Sequence, residues 1–390
     1  MFQILTLNNI AEAGLRRLPK DRYEVGPEIE APDAILVRSH KMHDMELAEN
    51  LLAVGRAGAG VNNIPVASLT ERGIPVFNAP GANANAVKEL VIGGLFIAAR
   101  NLISAHEYVR GLEVEGDELA RAVEVGKKKF VGYELPGRTL GVVGLGAIGV
   151  EVANTALSLG MKVIGFDPKI TVERAWQLSA NVQQANSIEE VLRNADFTSI
   201  HVPLTEGTRD LISASRLKLM KPGSVLLNFS RNGIVDEAAL LDSLNSGEIA
   251  TYVTDFPTAD FRHHPRAVCL PHLGASTGEA EENSASMVVD TLRGFLEHGN
   301  VRHSVNFPET VLPRTRPHRV AIPHANMPNM VAQILSALAA ADLNIADMVN
   351  HSRDTISYTI VDLDGEVSPQ TLARIQAIDG ILSARICPEQ

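Results

Sequence analysis

The sequence predicts an α/β protein with two doubly wound parallel-sheet domains, followed by a third domain of βαββαβ pattern. Three observations support this prediction. Short runs rich in β-branched residues alternate with helical stretches, a glycine-rich turn joins one such run to a helix, and the pattern changes after residue 316. A chain of 390 residues is too long for one compact core, so several domains are expected.

The first 94 residues contain three strand-like runs, "DAILVRS", "LLAVGRAG" and "GIPVFNAP". The stretches "NAVKELVIGGLFIAARN" and "TGEAEENSASMVVDTLRGFLEHG" predict long helices that lead into and out of the central part of the chain. A chain that leaves its first domain and later returns to it would use two such helices and leave a cleft between domains. We therefore assign residues 1–94 and 275–306 to one domain, which would bind the substrate.

Residues 95–274 form the second predicted domain. Its strand-like runs are "TLGVVG", "KVIGF", "FTSIHV", "SVLLNF", "TYVTDF" and "AVCL", separated by helical stretches such as "VEVANTALSLG" and "DEAALLDSLNSG". Strand alternating with helix is typical of βαβ units in a parallel sheet.

A proline-bearing, basic linker at 307–316 precedes the third predicted domain, 317–390. This domain begins with the strand "RVAIPH" and continues with a helix near 328–341, strands in "NIADMVNHS" and "TISYTIVDL", a helix near 368–377 and a strand in "ILSARIC". This order is the ferredoxin-like arrangement.

The composition of the chain indicates which kinds of binding partner and which cellular compartment to expect. The formal net charge of −11, from 46 acidic and 35 basic residues, argues against a nucleic-acid partner, which requires a positive field. Cys269 and Cys387 cannot form a disulfide framework, and the start "MFQILTLNNIAEAG" has no signal-peptide pattern. No apolar run approaches the roughly 18 residues that span a bilayer. We therefore expect a cytoplasmic protein without a membrane partner, and nothing in the sequence indicates a metal site.

The run "GVVGLGAIG" places Gly144, Gly146 and Gly149 in the G-x-G-x-x-G spacing, between a strand and a helix. This is the Rossmann fingerprint: the glycines allow a tight turn, close approach to a pyrophosphate and close packing of helix on strand. The next strand ends at Asp167, about 20 residues on, where a carboxylate binds ribose hydroxyls and repels a 2′-phosphate. The sequence therefore predicts NAD as cofactor, a preference that Lys169 nearby weakens slightly.

Three further polar groups follow successive strands of the same domain: Arg231 in "LLNFSRNGIV", Asp255 and Asp260 in "TDFPTADF", and His272 in "VCLPHLGAST". Open α/β sheets bind ligands at the carboxyl ends of their strands. An arginine there can bind an α-carboxylate through two hydrogen bonds, and a histidine beside a carboxylate can accept a hydroxyl proton. The pattern favours hydride transfer on a 2-hydroxy acid, although Arg231 could equally be a surface ion-pair partner and His272 an ordinary core or surface residue.

The chain resembles the D-isomer-specific 2-hydroxyacid dehydrogenase family over essentially its whole length. The segments "GRAGAGVNNI", "GRTLGVVGLGAIG", "NFSRNGIVDEAAL" and "LPHLGAST" occur in family order. Within the family, the chain is most similar to members that oxidise D-3-phosphoglycerate and carry a C-terminal ACT domain. The resemblance implies that Arg231 and His272 are catalytic.

The resemblance leaves the third catalytic residue, an acid, open. The family usually has glutamate in a D-V-F-P-x-E-P stretch, whereas this chain has "DFPTADF", which is one residue shorter around Asp255. Counting without gaps from Arg231 leads to Asp260, which we predict as the catalytic acid, whereas aligning the F-P-T triplet leads to Ala259. Asp255 matches the family aspartate that contacts the nicotinamide carboxamide, and it is the competing candidate for the partner of His272.

The resemblance implies further contacts. For the cofactor they are Ala147, Ile148, Val202, Phe229, Ser230 and Ala79. For the substrate they are Arg56, Ala57 and Gly58, the first near phosphate or carboxylate and the others donating from the backbone. The run Lys127, Lys128 and Lys129 resembles another phosphate contact, although a solvated face explains it equally well.

In the ACT domains of the similar family members, the residues that match His324, Asn326 and Asn344 bind L-serine at a subunit interface. This predicts a homo-oligomer, dimer or tetramer, with L-serine as a possible effector, or else an ACT domain with a purely structural role in dimerisation. The family commonly has Pro-Gly after this asparagine, whereas this chain has Asn329 in "MPNM".

Two other functions remain open. A reductase acting on hydroxypyruvate, glyoxylate or lactate would keep the same motifs, and so would a non-catalytic protein that senses NAD.

Overall fold

The computed structural model of the protein describes residues 1–389, so Gln390, the last residue of the third predicted domain, lies outside the described residues. Contacts divide the chain into two compact units, residues 1–82 together with 278–390, and residues 83–277. The C-terminal segment therefore packs with the first part of the chain. The division into three domains at residues 94, 274 and 316 remains a prediction.

The first unit contains a five-stranded parallel sheet with the order β2-β1-β3-β4-β5. Its strands are β1 (Phe2–Leu7), β2 (Tyr23–Gly26), β3 (Ala34–Val37), β4 (Ala53–Arg56) and β5 (Val76–Phe77). Two short helices, α1 (Glu12–Leu15) and α2 (Val66–Glu71), lie between strands. Strand β3, "AILV", is buried at every position, as expected for a parallel sheet covered on both faces.

The second unit contains a seven-stranded parallel sheet. Its strands are β6 (Thr139–Val143), β7 (Lys162–Phe166), β8 (Gln183–Gln184), β9 (Phe197–Ile200), β10 (Ser224–Asn228), β11 (Ile249–Thr254) and β12 (Ala267–Cys269). Their order is β12-β11-β10-β9-β6-β7-β8. The order reverses between β6 and β9, which is the position where such sheets bind dinucleotides.

Eight α-helices belong to this unit: α3 (Ala84–Arg100), α4 (Leu102–Arg110), α5 (Gly116–Gly126), α6 (Ala147–Ser158), α7 (Val172–Gln177), α8 (Ile188–Asn194), α9 (Ala214–Leu217) and α10 (Glu237–Ser246). The long helix predicted from "NAVKELVIGGLFIAARN" is confirmed as α3, and α6 and α10 occupy the other two predicted helical stretches. Two Rossmann-like parallel sheets are thus confirmed.

The chain returns to the first unit through the 21-residue helix α11 (Gly278–His298), the second predicted long helix. It buries Ala285, Val288, Leu292 and Phe295 in the same hydrophobic cluster as the first sheet's Ile4 and Leu36. Burying these side chains stabilises the unit by roughly 1.5–3 kcal/mol for each large one.

An antiparallel sheet completes the first unit. It contains β13 (His318–Ala325), β14 (Ile345–Arg353), β15 (Ile356–Leu363) and β16 (Arg385–Cys387), in the order β14-β15-β13-β16. With α12 (Met330–Ala339) and α13 (Pro369–Gln376), the order along the chain is βαββαβ, as the sequence predicted.

A buried ion pair joins this sheet to its surroundings. Arg319 donates to both carboxylate oxygens of Asp362, at 2.5 and 2.8 Å, and neither side chain is exposed. The same guanidinium donates to the carbonyls of His298, at the end of α11, and Leu312. One side chain therefore connects β13, β15, α11 and the segment before the sheet.

Candidate active site

Strand β6 leads into a turn that requires glycine. Gly144 has φ 93°, and a Cβ there would lie 2.5 Å from the carbonyl oxygen of His201. A Cβ on Gly149 would lie 1.9 Å from the carbonyl oxygen of Gly144. At Gly146, by contrast, no heavy atom other than its own and those of its chain neighbours lies within 4 Å of the Cβ position. The turn is therefore packed tightly on its inner side and open at its middle glycine.

Helix α6 begins at Ala147, with Ile148 in its first turn. The first N–H groups of a helix have no partner within the helix, and with the dipole they make an anion site at its N-terminus. The open position at Gly146 and this helix start therefore fit a pyrophosphate, as the fingerprint requires.

Asp167 follows β7 and fixes the same turn. Its Oδ2 accepts from the backbone N–H of Leu145 at 2.8 Å, and its Oδ1 accepts from that of Lys169 at 2.8 Å. Each carboxylate oxygen keeps capacity for a further hydrogen bond. Asp167 can therefore hold the glycine turn and still accept ribose hydroxyls.

Strands β10, β11 and β12 are parallel neighbours, so their carboxyl ends lie at one edge of the sheet. Arg231 follows β10 and is exposed, with its Nη1 donating to the Ser230 carbonyl at 2.6 Å. Asp255 follows β11 directly, and His272 follows β12. The structure thus places an arginine, a carboxylate and an imidazole after adjacent strands.

Asp255 is the buried member of this group, with 1% of its surface exposed. Its Oδ2 accepts from the backbone N–H of Gly274 at 3.0 Å, and its Oδ1 is buried without a hydrogen-bond partner among residues 1–389. Burial raises the pKa of the Asp255 carboxyl, while the Gly274 N–H and the charge of His272 oppose that rise. The free Oδ1 suits a ligand N–H donor.

His272 is exposed, and its ring packs against the Phe256 ring with 4.7 Å between centroids. The charge of His272 is the one that opposes the burial-induced rise in the pKa of Asp255. Asp260 is exposed, and its charge acts on Glu237, whose pKa is raised first by burial and then by Asp260. The structure therefore associates His272 with Asp255, the competing candidate, and Asp260 with Glu237.

Asn228 is a residue that the sequence interpretation missed. It is the last residue of β10 and is 2% exposed. Its Nδ2 donates to the Arg231 carbonyl at 2.9 Å, and its Oδ1 accepts from the Ser230 N–H at 3.1 Å. Ser230 Oγ in turn donates to the Ile200 carbonyl at 2.5 Å. Asn228 thus fixes the backbone that carries Arg231, and its position inside "NFSRNG" was the available signal.

His201, the residue before Val202, was also missed. Burial lowers its pKa to about 3, so the ring is neutral at physiological pH. Its Nε2 lies 2.9 Å from Ser199 Oγ, and its carbonyl is the one that excludes a side chain at Gly144. Val202 and the buried Phe229 follow β9 and β10 at the same edge.

The predicted substrate residues lie together in the first unit. Arg56 ends β4, and its Nε donates to the Arg38 carbonyl at 3.1 Å. A Cβ on Gly58 would lie 1.8 Å from Arg56 Nη1, so the guanidinium lies against this glycine. Ala79 donates from its N–H to the Gly58 carbonyl at 2.9 Å, and Ala57 is buried between Arg56 and Gly58 in the chain.

The lysine run Lys127–Phe130 forms a 3-10 helix, in which Lys127 pairs with Glu124 and Lys129 lies 5.5 Å from the Tyr108 ring centroid. Both partners, Glu124 and Tyr108, belong to the neighbouring helices α5 and α4, so these contacts are compatible with lysines that simply face solvent.

Each of the three predicted effector residues is hydrogen-bonded to another part of the C-terminal segment. His324 is 2% exposed, and both ring nitrogens are bonded within the chain, Nδ1 to the Ala325 carbonyl and Nε2 to Thr359 Oγ1. Asn326 and Asn344 are exposed, and their amides donate to the Asp354 carbonyl and to Asp364 Oδ2. Asn329, in place of the family glycine, adopts φ 70° before α12.

The parallel sheet, its glycine turn and the polar groups at its edge define a dehydrogenase of the nicotinamide-dinucleotide type. Residues 92–274 match the family described as "D-isomer specific 2-hydroxyacid dehydrogenase, NAD binding domain". The chain is 34% identical over 377 residues to the D-3-phosphoglycerate dehydrogenase of Methanocaldococcus jannaschii, covering 93% of this chain and 68% of that protein.

It is 33% identical over 364 residues to the enzyme of the same name from Escherichia coli strain K12, covering 90% of this chain and 85% of that protein. A solved structure from Entamoeba histolytica, described as NAD+-bound 3-phosphoglycerate dehydrogenase, is 27% identical with a TM-score of 0.61, covering 78% of this chain and 98% of its own. This chain belongs to the D-isomer-specific 2-hydroxyacid dehydrogenase family, and its cofactor is NAD.

No helix among residues 1–389 combines the length and apolar character needed to cross a membrane.

Proposed function

We propose that this protein oxidises D-3-phosphoglycerate to 3-phosphohydroxypyruvate with NAD, the first step of L-serine biosynthesis, in the cytoplasm. The observation that supports it most is the similarity to relatives named D-3-phosphoglycerate dehydrogenase, which extends over 90–93% of this chain. Such coverage reaches beyond the NAD-binding region into both the first domain and the βαββαβ segment.

The side chains that would carry out the reaction follow the carboxyl ends of strands in the second sheet. Arg231 would bind the substrate carboxylate, since its guanidinium forms two parallel hydrogen bonds to such a group. An unprotonated ring nitrogen of His272 would accept the hydroxyl proton as the C–H hydride leaves. NAD, when bound, would supply the hydride acceptor. The charge of His272 acts on the Asp255 carboxyl, whereas the charge of Asp260 acts on Glu237, which supports Asp255 rather than Asp260 as the carboxylate that stabilises the resulting imidazolium.

NAD would be held by the turn at Gly144, Gly146 and Gly149, by the start of α6, and by Asp167 at the adenosine ribose. The Asp255 Oδ1, which has no hydrogen-bond partner within residues 1–389, would accept a hydrogen bond from the nicotinamide carboxamide, which supports the resemblance-based role for this residue. Asp255 could serve both functions because each carboxylate oxygen can accept more than one hydrogen bond, and its Oδ2 accepts from the Gly274 N–H.

Arg56 would bind the substrate phosphate, with the N–H groups of Ala57 and Gly58 as further donors. In an acidic protein, an anionic substrate needs such a local cation. This contact separates phosphoglycerate from smaller hydroxy acids.

The deciding experiment is a substrate panel in which NADH is followed spectroscopically. We expect the highest kcat/KM with 3-phosphoglycerate, and a larger loss with this substrate than with lactate in an Arg56→Gln variant. His272→Ala should lower kcat by about 10²–10⁴-fold with all substrates. A higher kcat/KM for hydroxypyruvate or glyoxylate reduction would identify a reductase instead, and NAD binding without turnover on any of them would identify a cofactor-sensing protein.

We further propose that the βαββαβ segment is an ACT domain that takes part in a homodimer or homotetramer and binds L-serine as an inhibitor. Asn326 and Asn344 are exposed and available for an amino acid, whereas His324 would have to exchange its internal bonds. Unchanged activity at millimolar L-serine would contradict the inhibition, and light scattering after gel filtration measures the subunit number.

A further inference from the structure

A cavity of about 140 Å³ lies inside the first unit, between the first parallel sheet and the C-terminal antiparallel sheet. It is large enough for a small molecule rather than a single water. The polar residues that line it are Glu49, Asn50, Arg72, Tyr358, Ser383 and Arg385. None of these belongs to the candidate active site or to the predicted effector residues.

The cavity is lined by two cations that form no ion pair in the part of the chain that the structure describes. Within residues 1–389, neither Arg72 nor Arg385 forms an ion pair with a carboxylate, and Glu49 is the one acidic residue in the lining. The Nε of Arg385 is fully buried and has no acceptor in hydrogen-bonding geometry among the same residues, while the Tyr358 hydroxyl interacts with the same guanidinium. A buried guanidinium N–H without an acceptor is unfavourable, and an anion in the cavity would remove that cost.

Both arginines are held in place by backbone carbonyls. Arg72 donates to the carbonyls of Leu47 and Ala48, the latter at 2.7 Å. Arg385 donates to those of Phe295 and Leu296 and lies 4.4 Å from the Phe295 ring centroid. Carbonyls fix the direction of a guanidinium but do not neutralise it, so the charge stays available in a preformed geometry.

The walls around the arginines are also rigid. Tyr358 is buried and donates to the Gly299 carbonyl at 3.0 Å. On the opposite wall, Gly73 has φ 73°, and a Cβ there would lie 2.9 Å from Ser383 Oγ. The close approach of Gly73 to Ser383 brings the loop that carries Arg72 next to the strand that carries Arg385.

We propose that this cavity binds a small oxyanion, a carboxylate or phosphate group, between Arg72 and Arg385. The site lies within one subunit, joins the first sheet to the C-terminal sheet, and does not depend on the proposed substrate. Its occupant would contact the arginine that holds the carboxyl end of α11.

The test uses the full-length protein with inorganic phosphate and with acetate, each against sodium chloride at equal ionic strength. Affinity is measured by titration calorimetry and by the anion-dependent rise in the thermal midpoint. We expect saturable binding of at least one oxyanion and at least about tenfold weaker binding in Arg72→Gln and Arg385→Gln, because a charged hydrogen bond is lost. Phosphate and acetate together distinguish the two anion types.

Two variants serve as controls. Arg353 also donates to two backbone carbonyls, those of Ser304 and Val305, but does not line the cavity, so Arg353→Gln should bind like the wild type. Arg56→Gln removes the proposed substrate contact and should also keep the binding. If the circular dichroism spectrum shows that Arg385→Gln is unfolded, the anion affinity of Arg72→Gln alone tests the proposal.

The proposal is overturned if neither anion binds more tightly than chloride, or if both cavity variants bind like the wild type. Loss of binding in Arg56→Gln alone would place the anion at the substrate contact, which overturns the cavity site while supporting the proposed function. Loss in the cavity variants with unchanged turnover of 3-phosphoglycerate would support the cavity site alone.

Discussion

The identity of the acid beside His272 can be tested by exchanging one atom in each candidate. Asp255→Asn keeps an oxygen that can accept from the Gly274 N–H, so the loop should remain in place while the negative charge disappears. Asp260→Asn makes the same chemical change at an exposed position whose charge acts on Glu237. The pair is matched, and the structure predicts different outcomes.

The expected magnitude follows from the burial of Asp255, which is 1% exposed, and from its charge interaction with His272. General acid–base catalysis contributes about 10²–10⁴-fold to a rate, and we assign the Asp255 charge about 1.4–4 kcal/mol of that energy. If that energy stabilises the imidazolium formed during oxidation, Asp255→Asn should lower kcat by about 10- to 1000-fold. Asp260→Asn should change kcat by less than about threefold, because exposed charges interact weakly.

The assay is steady-state NADH formation with 3-phosphoglycerate, with NAD affinity measured separately. A fall in kcat at saturating NAD reports the imidazolium role of Asp255, whereas a rise in the KM for NAD alone reports only its contact with the nicotinamide. An inactive Asp260→Asn beside a fully active Asp255→Asn would refute the reasoning and restore the gapless assignment from the sequence.

Three further predictions concern the framework. Gly149→Ala should lower NAD affinity at least about tenfold in calorimetry, because the new methyl group would lie 1.9 Å from the Gly144 carbonyl oxygen and must displace the turn; unchanged affinity would show that the turn is not the cofactor site. Arg319→Met should cost about 3–5 kcal/mol in urea unfolding because Asp362 is left as a buried unpaired charge, and adding Asp362→Leu should recover most of the loss. Burial alone would raise the pKa of Asp362, but Arg319 and the Thr315 N–H hold it below its usual value, so its stabilising effect is present above about pH 4 and is lost as the pH falls through the lowered pKa. Unfolding free energies between pH 5 and 2 should therefore fall less steeply in Asp362→Asn than in the wild type, and equal slopes would contradict this.

Much of the fold follows from local pattern. Helices α3, α11, α12 and α13 and strands that bury apolar residues, among them β3, β6 and β15, lie where the sequence predicts them, whereas β1, β2 and β8 were not predicted. Helices α4 and α5 do not follow, because α4 buries no residue and α5 buries only Gly126. The sequence pattern of a helix indicates its position mainly through the row of apolar residues that it buries, and α4 and α5 bury no such row.

The sequence predicts those residues of the candidate site that closely follow the carboxyl ends of the strands. Arg231 and His272 come shortly after β10 and β12, so the carboxyl-edge rule locates both. Asp255 directly follows β11, whereas Asp260 lies further along the loop after that strand. Counting residues along the sequence does not show which of the two acids lies at the strand end. The choice between two acids depends on where β11 ends, and that is set by its pairing of Thr254 with Cys269 on β12.

Contacts between distant segments connect the C-terminal sheet to the end of α11. Arg319, Arg385 and Tyr358 all donate to carbonyls at the end of α11, from Leu296 to Gly299. Helix α11 begins at Gly278, shortly after His272 in the chain. An anion bound by Arg385 would therefore act on the side chain that holds α11 within the same subunit, whereas L-serine at Asn326 and Asn344 would first act on surface loops of the sheet. If oxyanions change turnover while L-serine does not, the intramolecular contact is the regulatory one.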